Sequence, residues 1–392
     1  LEDVVGVALS DSSEPSPEES PSDLVVRSGE IVCYRLIDVG DEVLLDEAEA
    51  ALRGGEQARR LTFSRTHASA LVFKAPPLDV LLPSRSVRLG DGREVEVRVT
   101  ARFFDIGIAS VRFVLPIEAN TPLAGLTPLL SELYELPALD DEGRLAIELL
   151  RPSLGGAIRG EPATDQLEPY TVVFVRAFAG QPLARDVLTH RQVLAKLLLG
   201  EVSPRPLAES ELEVIDRFSF SYFENDLAVI DWDGALVLEP QGNRDVADVL
   251  EFACAQTVGL RGYDALIDRE LEHFYEHVQQ AHGFSPLALV WSPYAGLAKR
   301  IQERWLEVTE FTDRTNNALK VVADLYLARV YHAALERSRV PVWQAAITQK
   351  QARIAQVYDF LRGEVESRRT TFLEVAIVTL ILVEILLVFV EG

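Results

Sequence analysis

The chain has 392 residues, 48% of them apolar, and its 61 acidic and 38 basic side chains leave a formal charge of −23. That length exceeds one ordinary core and points to one large domain with an extended part, or to two domains. So acidic a surface repels nucleic acid and anionic lipid head groups, and no nucleic-acid partner is expected. The two cysteines, Cys33 and Cys254, form neither a disulfide framework nor a zinc pattern and are expected to be buried thiols in a reducing compartment. The start, LEDVVGVALSD, lacks the basic region of a secretory signal, and the absence of Met suggests a trimmed or alternatively started reading frame.

Residues 10–22, SDSSEPSPEESPS, carry no large apolar side chain and cannot offset chain entropy, so residues 1–22 are expected to be a disordered acidic arm. Residues 23–240 read as strand and turn, with short runs of Val, Ile and Phe punctuated by Gly, Pro and Asp. Strands are expected over Glu30–Ile37, Ala101–Val114 and Thr171–Phe178. The Asp91-Gly92 and Asp233-Gly234 pairs tolerate the positive φ that two-residue hairpins need. Helical patterns over Asp46–Arg53 and Val187–Leu199 interleave, which makes the class α+β with a β-rich head.

From residue 241 to 370 the apolar period changes to about 3.6. Val249, Phe252, Leu260, Tyr263, Ile267 and Leu271 line one helix face, a second helix runs from Leu297 to Leu335, and a third starts near Trp343 after Pro341 breaks the second. The third carries Ile354, Val357 and Leu361 at a/d-like spacing, as in a coiled-coil stalk. Residues 371–390 then read as a single C-terminal transmembrane helix. The run Phe372–Val390 would measure about 28 Å, close to the roughly 30 Å of a bilayer core. Arg368 and Arg369 precede it, so the positive-inside rule makes a tail-anchored membrane protein with its N-terminal part cytoplasmic. Glu384 would lie near the middle of the span, where a carboxylate needs a partner from a second copy or from another membrane protein. The lipid bilayer and a homo-oligomer or membrane-protein partner are therefore the expected contacts.

The stretches DVLEFACAQTVGLRGYDALIDREL (248–271), FSYFENDLAVIDW (220–232) and FLEVAIVTLILVEILLVF (372–389) resemble the required-for-meiotic-nuclear-division family, also called domain of unknown function 155. The resemblance covers about residues 170–392. It implies a membrane-attached protein with a globular head and a coiled-coil stalk, at the mitochondrial inner membrane if organellar. It supplies no catalytic residues, and the first 150 residues depart from it.

His273, Glu276 and His277 spell H-x-x-E-H, the inverted zincin order, on an expected helix where the two histidines could share a metal. Against a metal site, Phe274 and Val278 hold the buried stripe and put Glu276 among solvent-facing charges; an exposed face with incidental pairing is the simpler reading. Glu224, Asp226, Asp231 and Asp233 cluster around a hairpin but lack the spacing of a calcium loop. Residues 154–160, LGGAIRG, lack the Lys-Ser/Thr of a P-loop and read as a surface turn. Cys254 sits in an apolar helical face and reads as a packed thiol. No motif calls for a cofactor. The expected function is thus a non-enzymatic scaffold or docking platform, with a membrane-tethered, metal-dependent hydrolase on His273, Glu276 and His277 as the alternative.

Overall fold

The structure, a computed structural model, describes residues 24–52, 58–61, 75–280 and 325–391. The arm at 1–22 and residues 297–324 of the second expected helix lie outside these. Helices and strands alternate irregularly along the chain. The first part runs β1 (Val25–Asp38), β2 (Glu42–Val43), α1 (Leu45–Leu52), β3 (Ala58–Arg60), β4 (Leu78–Arg88), β5 (Glu94–Phe103), β6 (Ile108–Pro116) and β7 (Thr121–Pro122). It continues with α2 (Thr127–Tyr134), α3 (Pro137–Leu154), β8 (Ile158–Arg159), β9 (Leu167–Phe178), α4 (Ala184–Leu188), α5 (Arg191–Leu199) and α6 (Glu209–Arg217). The last elements are β10 (Ser219–Phe220), β11 (Leu227–Ile230), β12 (Gly234–Leu238), α7 (Asp245–Gln280), α8 (Leu325–Arg337) and α9 (Val340–Glu391).

Among the described residues ten strands form one sheet in the order β10-β11-β12-β9-β1-β6-β5-β4-β3, with β7 paired beside β1. All pairs are antiparallel except β12 with β9, so the sheet is mixed. The central strand β1 is buried on both sides, and period two sorts its residues between two cores. Ile31, Cys33 and Ile37 join the core under α1 to α6, while Val32, Tyr34 and Leu36 join the core under α7 and α8. Helices therefore cover both faces of the sheet. Gly143 lets α3 approach this centre closely, since a Cβ there would stand 3.2 Å from the Cβ of Arg35.

Of the Asp-Gly readings, the first holds, with Gly92 at a φ of 85° turning β4 into β5; Gly234 opens β12 without a positive φ, and a Cβ there would stand 2.6 Å from the Thr171 carbonyl oxygen. Other expectations change. Ala101–Val114 is two strands, because the chain reverses between Phe103 and Ile108 at Gly107, whose φ is 78°. A Cβ at Gly107 would fall 1.8 Å from the Gly40 carbonyl oxygen, so this corner accepts only glycine. Val187–Leu199 divides into α4 and α5, with Thr189 and His190 between them. Pro341 lies in the first turn of α9, where its missing N–H costs nothing, and the break falls instead at Arg339, with φ of 57°. Helices α2 and α3 occupy a region read as strands and turns.

The expected class, α+β with a single C-terminal transmembrane helix, is corrected in its last part. Among the described residues no helix is long and apolar enough to cross a membrane. Helix α9 carries two carboxylates within its apolar run, Glu374 and Glu384, which leave about 14 Å of uncharged helix between them, from Val375 to Val383, against a hydrocarbon core of roughly 30 Å. The membrane, tail-anchor and cytoplasm-facing expectations lose their support with it. Glu384 is exposed, while the side chains of Arg368 and Arg369 lie outside the described ones.

Candidate functional site

The sheet face under α7 is not uniform. Over β9, β1 and β12 it is apolar and packed against α7 and α8. Over β6, β5, β4 and β3 the same face turns polar, because the residues that period two sends there are Ser110 and Arg112, then Arg98, Thr100 and Arg102, then Asp79, then Arg59. The first turns of α7 border this polar half.

Two arginines on that floor are buried in a carboxylate cluster. Arg102 is among the largest fully buried side chains. Its Nε and Nη2 donate to the two oxygens of Asp79, directly across the strand pair, at 2.6 and 2.9 Å. Its Nη1 donates to Asp248 and to Glu251, both at 2.7 Å. The two acids, one helical turn apart on α7, share a face, so the cluster ties that helix to the sheet. Arg112 adds an ion pair to Asp79 at 2.9 Å, yet among the described residues its Nε has no hydrogen-bond partner. Burial works to raise the Asp79 carboxyl, but the hydrogen bond and charge of Arg102, then the charge of Arg112, outweigh it and hold the group down at about 2. Burial raises Glu251, which is fully enclosed, against the pull of both arginines.

Outward from this cluster the floor opens into a cavity of about 760 Å³. Arg59, Arg98, Arg102, Arg112 and Arg244 line it with Asp79 and Asp248, and Ala58, Leu61, Leu81 and Val114 add apolar wall. On the rim, Arg98 Nη2 donates to Glu30 Oε2 at 2.8 Å, Arg244 pairs with the other oxygen of Glu30, and Arg176 approaches it at 3.9 Å. Three guanidinium groups thus share one carboxylate. Arg244 also stands 5.3 Å from the centre of the Phe174 ring, and its partial burial pushes the guanidinium pKa down. In a chain of charge −23, this concentration of arginine runs against the bulk composition. Its floor and rim supply planar, multi-donor cations suited to an oxyanion.

The site residues expected from sequence fall elsewhere. His273, Glu276 and His277 lie on α7, but their side chains are outside the described ones. Among the described residues no group of three or more His, Cys, Asp and Glu could hold a metal ion. The acidic set separates into structural roles: Asp226 accepts from the backbone N–H groups of Tyr222 and Phe223, and Asp231 accepts from Arg337 Nε at 2.7 Å. Asp233, pushed up to about 6 first by burial and then by Glu168 and Asp231, stands apart at the hairpin turn. Residues 154–160 end α3 and turn into β8, and burial pushes the Cys33 thiol up to about 11 and raises Cys254 as well. The arginine site went unread, although Glu251 inside the apolar run VLEFACA, and Arg102 and Arg112 inside strands, were its visible traces.

The chain belongs to the family described as "Uncharacterized protein MJ0711, N-terminal domain", whose model matches residues 28–245. It is 25% identical over 201 residues to the uncharacterized protein MJ0711 of Methanocaldococcus jannaschii, a match covering 50% of this chain and 59% of that relative. The chain thus spans about three-fifths of the length of this curated relative. No solved structure matches. Every arginine of the cavity lies inside the matched family domain, whereas Asp248 and Glu251 follow its end. Of the stretches that resemble the required-for-meiotic-nuclear-division family, the match includes 220–232 and stops before 248–271 and 372–389.

Proposed function

We propose that this protein is a non-enzymatic binding module whose head docks an anionic ligand in the arginine-lined cavity. This retains the docking role expected from the sequence and drops its membrane anchor. One observation carries it: Arg98, Arg176 and Arg244 share a single carboxylate, Glu30, while Arg59 lines the same cavity with no ion pair among the described residues. An excess of fixed positive charge in a concave site is a stored binding energy for anions, and the cavity volume lies in the range of small-molecule sites. The test is isothermal titration of the full chain with phenyl phosphate, citrate and sulfate, beside an Arg59→Gln/Arg98→Gln variant. Binding of at least one anion that weakens tenfold or more in the variant supports the reading. If none of the three binds, the reading falls.

A further inference from the structure

We propose that the ligand is a small organic phosphate monoester, its phosphoryl group held by Arg59 and Arg98 beside Arg244 and its organic body resting on Leu61 and Leu81. The proposal rests on the anion-docking reading above and sharpens it to one ligand class.

Charge selects the group. Arg102 and Arg112 on the inner floor are more than matched by Asp79, Asp248 and Glu251, so they add a structural anchor and one surplus negative charge. The rim carries the opposite imbalance. Arg98 commits only Nη2 to Glu30, Arg244 and Arg176 share the same carboxylate, and Arg59 makes no ion pair among the described residues. Counting both layers, the five lining arginines and Arg176, which reaches Glu30 from outside the lining, stand against four carboxylates, an excess of two positive charges. A phosphate monoester carries about −1.5 to −2 at neutral pH and offers three acceptor oxygens, whereas a diester carries a single charge. Guanidinium forks match that tetrahedral set of acceptors.

Shape selects the size. A phosphoryl group fills only a small part of about 760 Å³, and the remainder is walled by Ala58, Leu61, Leu81 and Val114 with Thr100 between them. Leu81 is 52% exposed on a floor rich in charged groups, which gives an uncharged organic body something to cover. A long polyanion such as RNA meets the opposite condition, since the molecule beyond this cavity is strongly acidic and repels it. The favoured ligand is therefore small, doubly charged at one end and weakly polar at the other.

The experiment compares four probes by calorimetry on the full chain: phenyl phosphate, methyl phenyl phosphate, citrate and inorganic phosphate. Phenyl phosphate is expected to bind at least tenfold tighter than the other three. Arg59→Gln and Arg98→Gln should each weaken it severalfold without moving the thermal midpoint, and Arg98→Lys should recover part of the loss. Arg88→Gln, on an exposed pair with Glu94 outside the cavity, should leave binding unchanged. If citrate or the diester binds as tightly as phenyl phosphate, anion docking stands and the monoester assignment is overturned. If inorganic phosphate equals phenyl phosphate, the apolar floor has no part and the organic class is overturned. Absence of binding by every probe overturns both readings.

Discussion

Arg102→Leu removes the cation that three buried carboxylates contact most closely. In the folded protein its guanidinium lies 2.6 Å from Asp79 and 2.7 Å from both Asp248 and Glu251, whose side chains are 8%, 9% and 0% exposed. Leucine replaces part of the volume and donates nothing, so the carboxylates must either stay ionised in a dry site or take up protons, and both cost folding free energy. Removing one partner of a buried ion pair costs about 3–5 kcal/mol. At roughly 2–4 °C per kcal/mol for a domain of this size, the thermal midpoint should fall by on the order of 10 °C in far-UV circular dichroism. The pH dependence gives a second reading. In the wild type Asp79 is depressed from 3.8 to about 2, which contributes roughly 2 kcal/mol that is present above pH 4 and lost as pH falls toward 2. The variant lacks this contribution, so its deficit should narrow between pH 4 and pH 2. A deficit under about 1 kcal/mol at pH 7, or one that is constant across that acid range, refutes the reasoning.

Other outcomes follow from single contacts. Glu30→Gln frees Arg98 and Arg244 from their shared carboxylate and should tighten phenyl phosphate severalfold in calorimetry; weaker binding would contradict the charge count. Gly107→Ala forces a Cβ against the Gly40 carbonyl at a φ of 78° and should lower stability by about 2 kcal/mol or more in urea unfolding. Cys33 and Cys254 are buried with raised pKa values, so Ellman's reagent should label neither in the native protein and both after denaturation. Phe372, Leu373, Val375, Ile377 and Leu380 are exposed on α9, so light scattering should show less self-association when residues 370–392 are removed; an unchanged mass would exclude that segment as the contact.

Much of the fold was legible because local chemistry and tertiary structure agree. Asp91-Gly92 marks a hairpin since Gly92 supplies the positive φ its tight turn needs, and the 3.6-residue stripe Val249, Phe252, Leu260, Tyr263 and Ile267 is buried in α7, whose first turns are enclosed on every side. The misses share a cause. Gly107 is a corner because it meets Gly40, which is distant in sequence, and α3 is a helix because Ala146, Ile147 and Leu150 pack into the core on the α1–α6 face of the sheet. The arginine site was illegible for the same reason. Arg102 sits 23 residues from Asp79 and 146 from Asp248, and nothing local says that the three converge. A charged residue in an apolar run marks only that a partner must exist.

That distance also explains how one helix serves two ends. Along α7, Val249 and Phe252 bury against the apolar half of the sheet while Asp248 and Glu251 reach the arginines of the polar half. Moving the helix to admit a ligand would therefore break both contacts at once. The inner wall is thus the fixed side of the cavity. Adaptation falls to Arg98 and Arg244: the first is 70% exposed and the second 31%, and both are held chiefly by Glu30. An incoming dianion competes with one carboxylate for these two side chains and leaves the buried cluster intact, so binding can exchange partners on the rim without loosening the fold beneath it.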